Sequence, residues 1–280
     1  MENYREIAQI FEKSKVNLDK MFFKYINETE IPNLLVKQDL NLKTEQVVGL
    51  IEKISGDYEG IKKEIQNRLS TLIPDYNFKE FKVIFTLDRK SDFRAINNDE
   101  IIVDLGRLLR NLFPEETLIE GITHEVFHIW FNRQKISDVS KANYNIIDNN
   151  KADILLKSLN EGYAVKVSNQ SLEKLYREPL SLDRGVRLSF DKFNKFLNFT
   201  NQKEIEDAKK EGFETMGFFY IVGYEMINAI ISHQNIDIVK NALANLDFFT
   251  IIEKYEDICK TDSNLPKIDF ESYKKIINRK

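Results

Sequence analysis

Cysteine, histidine, proline and tryptophan are scarce in this chain, with one, three, five and one copies respectively in 280 residues. Each scarcity excludes something. The lone Cys259 rules out an internal disulfide framework and cannot build a thiolate metal site by itself, so its default reading is a small core or half-exposed residue. Charge of one sign is not concentrated either. The formal net charge is −4 and Lys and Arg are dispersed, which leaves no basic stripe to follow a phosphate backbone, and nucleic acid is not an expected partner. Long apolar runs are missing as well: the longest, Met216 to Ile231, is shorter than a bilayer requires and carries Glu225 and Asn228, so no membrane span is expected. Met1 to Glu6 lack the charged-then-apolar layout of a signal peptide, and if they are the natural start the expected location is cytoplasmic. No repeat or low-complexity tract appears. What remains is an ordinary globular balance, 42% hydrophobic and 31% charged, in a chain long enough for one large domain or two intimate subdomains.

Against so few histidines, their placement is informative. Two of the three fall in His124-Glu125-Val126-Phe127-His128, inside the stretch 115 to 133. On a helix, positions four apart point the same way, so His124 and His128 can offer two imidazoles to one metal ion. Glu125, about a quarter turn round, can reach a water on that metal without being a ligand itself. Ile122, Val126, Ile129 and Trp130 make an apolar face and Phe127 and Phe131 flank the histidine side, so the helix is expected to be buried nearly all round. The blander reading is a buried helix with satisfied core histidines. It is the weaker one, because two imidazoles in a dry place need partners for their nitrogens and a metal supplies one for each.

The surrounding chain divides by periodicity. Helical spacing recurs over residues 1 to 73, at Tyr4, Ile7, Ala8 and Phe11, at Leu18, Met21, Phe22 and Tyr25, at Val47, Leu50, Ile51 and Ile54, and at Ile61, Ile65, Leu69 and Leu72. Pro32 separates the second of these helices from the third, and Pro74 ends the fourth. Alternation then takes over at Phe81, Val83, Phe85 and Leu87, and again at Ile101 to Leu105. Phe93 to Ile96 reads as a third short strand turned at Asn97-Asn98-Asp99. Peptidases of the zincin class often bind substrate along the edge of such a sheet, here an analogy only. Residues 107 to 113 read as a short turn or helix, and Pro114 suits the first turn of the motif helix. Glu115, Glu116 and Glu120 read as helix-start charges, with Arg133, Gln134 and Lys135 closing the far end. Asn132, one turn beyond His128, is a candidate to hydrogen-bond a metal ligand. Asp138 to Asn150 is polar and reads as a surface loop.

A second apolar-periodic helix runs through Ile154, Leu155, Leu159, Tyr163, Ala164 and Val167, with Glu161 in its middle. A glutamate in so apolar a helix asks for a charge partner if buried, and a metal is one. Glu161 is thus the choice for third ligand, leaving one position open; Asp148 and Asp153 are the alternatives, and a solvated glutamate is the plain reading. Gly162 would let this helix approach the motif helix closely. Residues 171 to 280 look helical after a charged, linker-like stretch from Glu178 to Gly185. Arg184 and Arg187 could bind a substrate carboxylate or be merely solvated, the Lys203 to Glu211 run reads as a solvated face, and His233 as a surface or helix-end histidine.

His124-Glu125-x-x-His128-Ile-Trp130-Phe131, followed by Leu159-Asn160-Glu161-Gly162-Tyr163-Ala164, resembles the gluzincin metallopeptidases, above all the aminopeptidase-N-like group and its related small bacterial peptidases. The resemblance implies that His124, His128 and Glu161 bind Zn2+ and that Glu125 activates water. It extends to Tyr220-Ile221-Val222-Gly223, similar to the family's Tyr-x-x-Gly helix, which implies that Tyr220 faces the developing oxyanion; a core tyrosine is the other reading, and Tyr224 is the alternative donor. No Gly-x-Met-Glu-Asn segment lies upstream, so the amino-group recognition of the aminopeptidases is not implied.

The expectation is therefore an α+β, mostly helical zincin-like fold. It comprises a helical segment at 1–75, a catalytic core at 76–170 with a small sheet, and a helical subdomain at 171–280 that completes the cleft. The expected activity is zinc-dependent hydrolysis of peptide bonds in a peptide or protein substrate. The alternatives are a non-catalytic, zinc-stabilised interaction or regulatory protein and a zinc hydrolase of a non-peptide amide or ester.

Overall fold

The structure is a computed structural model. It describes residues 49–50, 52–54, 56–73, 81–86, 93–95, 100–104, 108, 114–134, 140–142, 144–170, 182–214 and 217–279. The helices expected around Tyr4 to Tyr25, the breaks at Pro32 and Pro74, the turn at Asn97 to Asp99 and residues 178–181 of the linker-like stretch lie outside these residues. The chain separates into two compact units, one of residues 1–68 and 77–129, the other of residues 69–76 and 130–280.

In the first unit, helix α1 (Tyr58–Ser70) buries Ile61 and Ile65, four apart on one stripe, as its spacing requires. Three strands follow, β1 (Lys82–Thr86), β2 (Phe93–Ala95) and β3 (Glu100–Asp104). They form a sheet in the order β1-β3-β2. β3 is central because Ile101 and Val103 alternate inward and are fully buried. It runs parallel to β1, with Val83 opposite Ile101, and antiparallel to β2, with Phe93 opposite Val103 and Ala95 opposite Ile101. Among the described residues β2 therefore lies at an edge of the sheet.

Helix α2 (Pro114–Arg133) carries the His-Glu-x-x-His motif. Pro114 stands at its first residue, where no helical N–H is needed, and Glu115, facing the positive end, pairs with Lys53. The interior of the helix is apolar: Leu118, Ile122, Val126, Phe127 and Ile129 are buried, and the buried Thr123 hydroxyl donates to the Ile119 carbonyl at 2.6 Å. Glu120 departs from its expected role as a helix-start charge. It is only 5% exposed, because the seventh residue of this helix already lies on a covered face.

The second unit is built around helix α3 (Asn149–Ser168), whose residues are buried on nearly every side. Asp148 caps its start by accepting from the Lys151 N–H at 3.1 Å, and Asn169, in the left-handed region at φ 60°, ends it. Helices α4 (Leu182–Asn198), α5 (Gln202–Phe213), α6 (Phe218–His233), α7 (Ile236–Ala244), α8 (Phe249–Thr261) and α9 (Phe270–Lys274) complete it. Phe219 of α6 meets Phe193 and Phe196 of α4 edge-to-face. α3 and α6 touch backbone to backbone: a Cβ on Gly162 would overlap Gly223, and a Cβ on Gly223 would overlap the Ser158 carbonyl. This corrects the expectation that Gly162 serves contact with the motif helix.

Residues 138 to 150 are not simply a surface loop. They contain strand β4 (Tyr144–Ile146), paired antiparallel with β5 (Ile277–Arg279), and Tyr144 is only 2% exposed. A three-residue strand whose partner lies some 130 residues away has too little local pattern to be read from sequence. Among the described residues no helix is long and apolar enough to cross a membrane.

Candidate metal centre

The spacing of His124 and His128 on α2 produces the juxtaposition it implies. Their Nε2 atoms lie 3.0 Å apart, with ring centroids at 4.7 Å and planes at 81°. At so short a distance at most one of the two nitrogens carries a proton, so at least one lone pair is directed into the space between them. Two nitrogens on one tetrahedral zinc ion would sit roughly 3.3 Å apart, close to what is observed. Glu161 of α3 completes the group: one ligand atom each from His124, His128 and Glu161 all fall within 4.8 Å of one another. Glu161 is 6% exposed, whereas both histidines are half-buried. Two imidazole nitrogens and a carboxylate oxygen are a donor set suited to zinc, and three protein ligands leave a tetrahedral ion one open position. The residues present thus fit the ion.

The alternative ligands are occupied elsewhere. Asp148 is the helix cap of α3, and Asp153 is exposed and paired with Lys141. His233 stands at the end of α6, bonded through Nδ1 to the Ala229 carbonyl and through Nε2 to Asp262, both at 3.0 Å. Asn132, Arg184 and Arg187 are exposed.

Glu125 is half-buried on α2, and its Oε2 accepts the main-chain N–H of Ala95 at 2.7 Å. The sequence marked Phe93 to Ile96 as a strand, but nothing in its side chains announces that one of its N–H groups is directed at a carboxylate on another element. Gly121, one turn before Glu125, carries no signal in the sequence for the same reason: its relevance is the Phe93 ring, which fills the space a Cβ would take.

On α6, Tyr220 is half-buried with its ring edge-on to Phe213 at 6.3 Å, and the Lys166 ammonium sits over the Tyr224 ring at 5.6 Å. Burial pushes the Tyr224 phenol up, assisted by the neighbouring Glu225 charge. Glu225 is itself raised, mainly by burial, with Lys166 pulling it down and Asp183 pushing it up. Lys166 donates to Asn228 Oδ1 at 2.7 Å and is lowered by burial against the opposing effect of Glu225. These groups lie on α3, α4 and α6 and link the two helices that bear Glu161 and Tyr220.

A protein-family model described as "Putative zinc dependent peptidase" matches residues 3–264. No curated protein and no solved structure matches the chain.

Proposed function

Since this chain belongs to the family of putative zinc dependent peptidases (DUF5700), we propose that it hydrolyses peptide bonds at a gluzincin-type centre held by His124, His128 and Glu161. The observation that carries the reading is the meeting of two imidazole nitrogens and a buried carboxylate within 4.8 Å, next to a second carboxylate that is outside the group. Zinc bound there would supply Lewis acidity, lowering the pKa of a water toward about 7 and polarising the scissile carbonyl.

The remaining work falls to side chains. Glu125, one residue past His124, is placed to take a proton from the attacking water and return it to the departing amine, a role that needs a carboxylate free of the ligand set. As a buried carboxylate, Glu161 would offset only one of the two charges that a dication brings, so the centre would stay electrophilic. Tyr220 is the proposed donor to the oxyanion; a phenol is neutral at working pH and can aim one O–H at the developing charge.

The test pairs metal content with cleavage of a peptide library. The wild-type chain is expected to hold one zinc ion per molecule and to cleave. Glu125→Gln is expected to keep the zinc and lose about 10²- to 10⁴-fold in kcat. Glu161→Ala should lose most of the zinc. A Glu125→Gln variant with normal turnover would sink the mechanism, and zinc retained in full by Glu161→Ala would remove Glu161 from the ligand set.

A further inference from the structure

Two contacts fasten edge strand β2 onto helix α2. The ring of Phe93 covers Gly121, and the N–H of Ala95 reaches Glu125. Their spacing matches. Two residues along a strand advance about 6.6 Å, four along a helix about 6 Å, so residues 93 and 95 fall opposite 121 and 125 without distortion of either element. Gly121 makes room for this fit, since a Cβ there would overlap the Phe93 ring.

The Ala95 N–H is also a donor the sheet does not use. In an antiparallel pair, successive residues turn their N–H and C=O groups alternately toward and away from the neighbour. β3 is the only described partner of β2, and the Ala95 N–H is directed at a carboxylate on α2 instead. A glutamate side chain on a helix otherwise has three rotatable bonds, and a charge-assisted bond at 2.7 Å to a main-chain N–H of β2 fixes one of its oxygens.

We propose that the main-chain N–H of Ala95 is the positioning group for Glu125: it holds Oε2 so that the other carboxylate oxygen is directed to the proton it must take. The proposal rests on Glu125 acting as the base. It assigns catalytic weight to a backbone group of β2, and through the fit of Phe93 to the otherwise unremarkable Gly121.

The test removes the donor and nothing else. Incorporating lactate in place of Ala95 turns that amide into an ester, keeping the methyl side chain and the course of the strand. In the zinc-loaded full-length chain, kcat for a library-selected peptide is expected to fall roughly 10- to 100-fold with KM and zinc content unchanged. An unchanged kcat, or a loss confined to KM, overturns the proposal; the second result would make the edge N–H a substrate-binding donor instead. A readout independent of turnover comes from amide hydrogen exchange. In the metal-free protein the Ala95 N–H should be protected, and Glu125→Ala should speed its exchange at least tenfold while leaving Ile101 and Val103 of β3 protected. Exchange at Ala95 that ignores Glu125→Ala also overturns the proposal. A wild-type chain that cleaves no peptide sinks the peptidase reading and this proposal together, whereas a cleaving chain with an indifferent ester sinks the proposal alone.

Discussion

Glycine is used differently on the two helices that carry the candidate ligands. On α2, Gly121 makes room for the end of a side chain, the ring of Phe93. On α3, Gly162 makes room for another backbone, the Gly223 segment of α6, and Gly223 returns the contact to Ser158. A ring can swing aside when crowded; two helix backbones cannot. The difference teaches where the molecule tolerates change. The strand that meets Glu125 is held by contacts that can yield, while the helix that presents Glu161 is held by contacts that cannot.

Substitutions on both sides can break or sharpen this contrast. The largest effect is expected from Gly162→Ala, which places a methyl group inside the backbone of α6. Overpacking of this kind should cost about 3 kcal/mol or more, read as a fall in the denaturant midpoint. A Gly162→Ala protein as stable as wild type would show that the seam has slack. Next comes Ser158→Ala in the same seam. The buried Ser158 hydroxyl donates to the Phe219 carbonyl at 2.8 Å, and its loss should cost about 1 kcal/mol by the same measurement.

Gly121→Ala should change stability by less, because crowding of Phe93 is opposed by the roughly 1 kcal/mol that alanine gains over glycine in a helix. In a Phe93→Leu background, where the ring is gone, the same substitution should become stabilising. A double-mutant cycle reads the sign change, and additive effects would mean that the ring is not what Gly121 accommodates.

The smallest effect concerns pH. Burial raises the Glu225 carboxyl above its ordinary range, so over that window the folded chain binds more protons than the unfolded one. Stability should therefore decline as pH rises through the ordinary carboxylate range toward the raised value, and Glu225→Gln should flatten that decline. An unaltered slope in denaturation curves taken across acidic pH would assign the dependence to another group.

Much of this was legible in the residues because the signals are local. The motif helix was visible from the four-residue spacing of His124 and His128, from Pro114 at its start and from the apolar residues between them. The strands were visible from alternation at Val83, Ile101 and Val103. Glu161 stands out as a charge in an apolar helix, and one of its oxygens lies within 4.8 Å of a nitrogen of each histidine. What stayed hidden shares one property, dependence on a partner distant in the chain. Tyr144 sits in a polar segment and becomes buried when β4 pairs with a strand at the far end of the sequence. Glu120 looks like a helix-start charge until the helix is packed.

By itself, then, the sequence determined the candidate metal site: two imidazoles one helical turn apart, a glutamate between them that we propose as the base, and a glutamate on a second apolar helix that we propose as the third ligand. Those follow from residue type and the fixed pitch of a helix, which any packing must respect. Only the tertiary structure decided that Gly162 faces α6, and that an alanine whose side chain has no chemistry lends its N–H to Glu125. Backbone donors are the same at every residue, so no sequence pattern distinguishes the one that matters; the packing of a strand on a helix does.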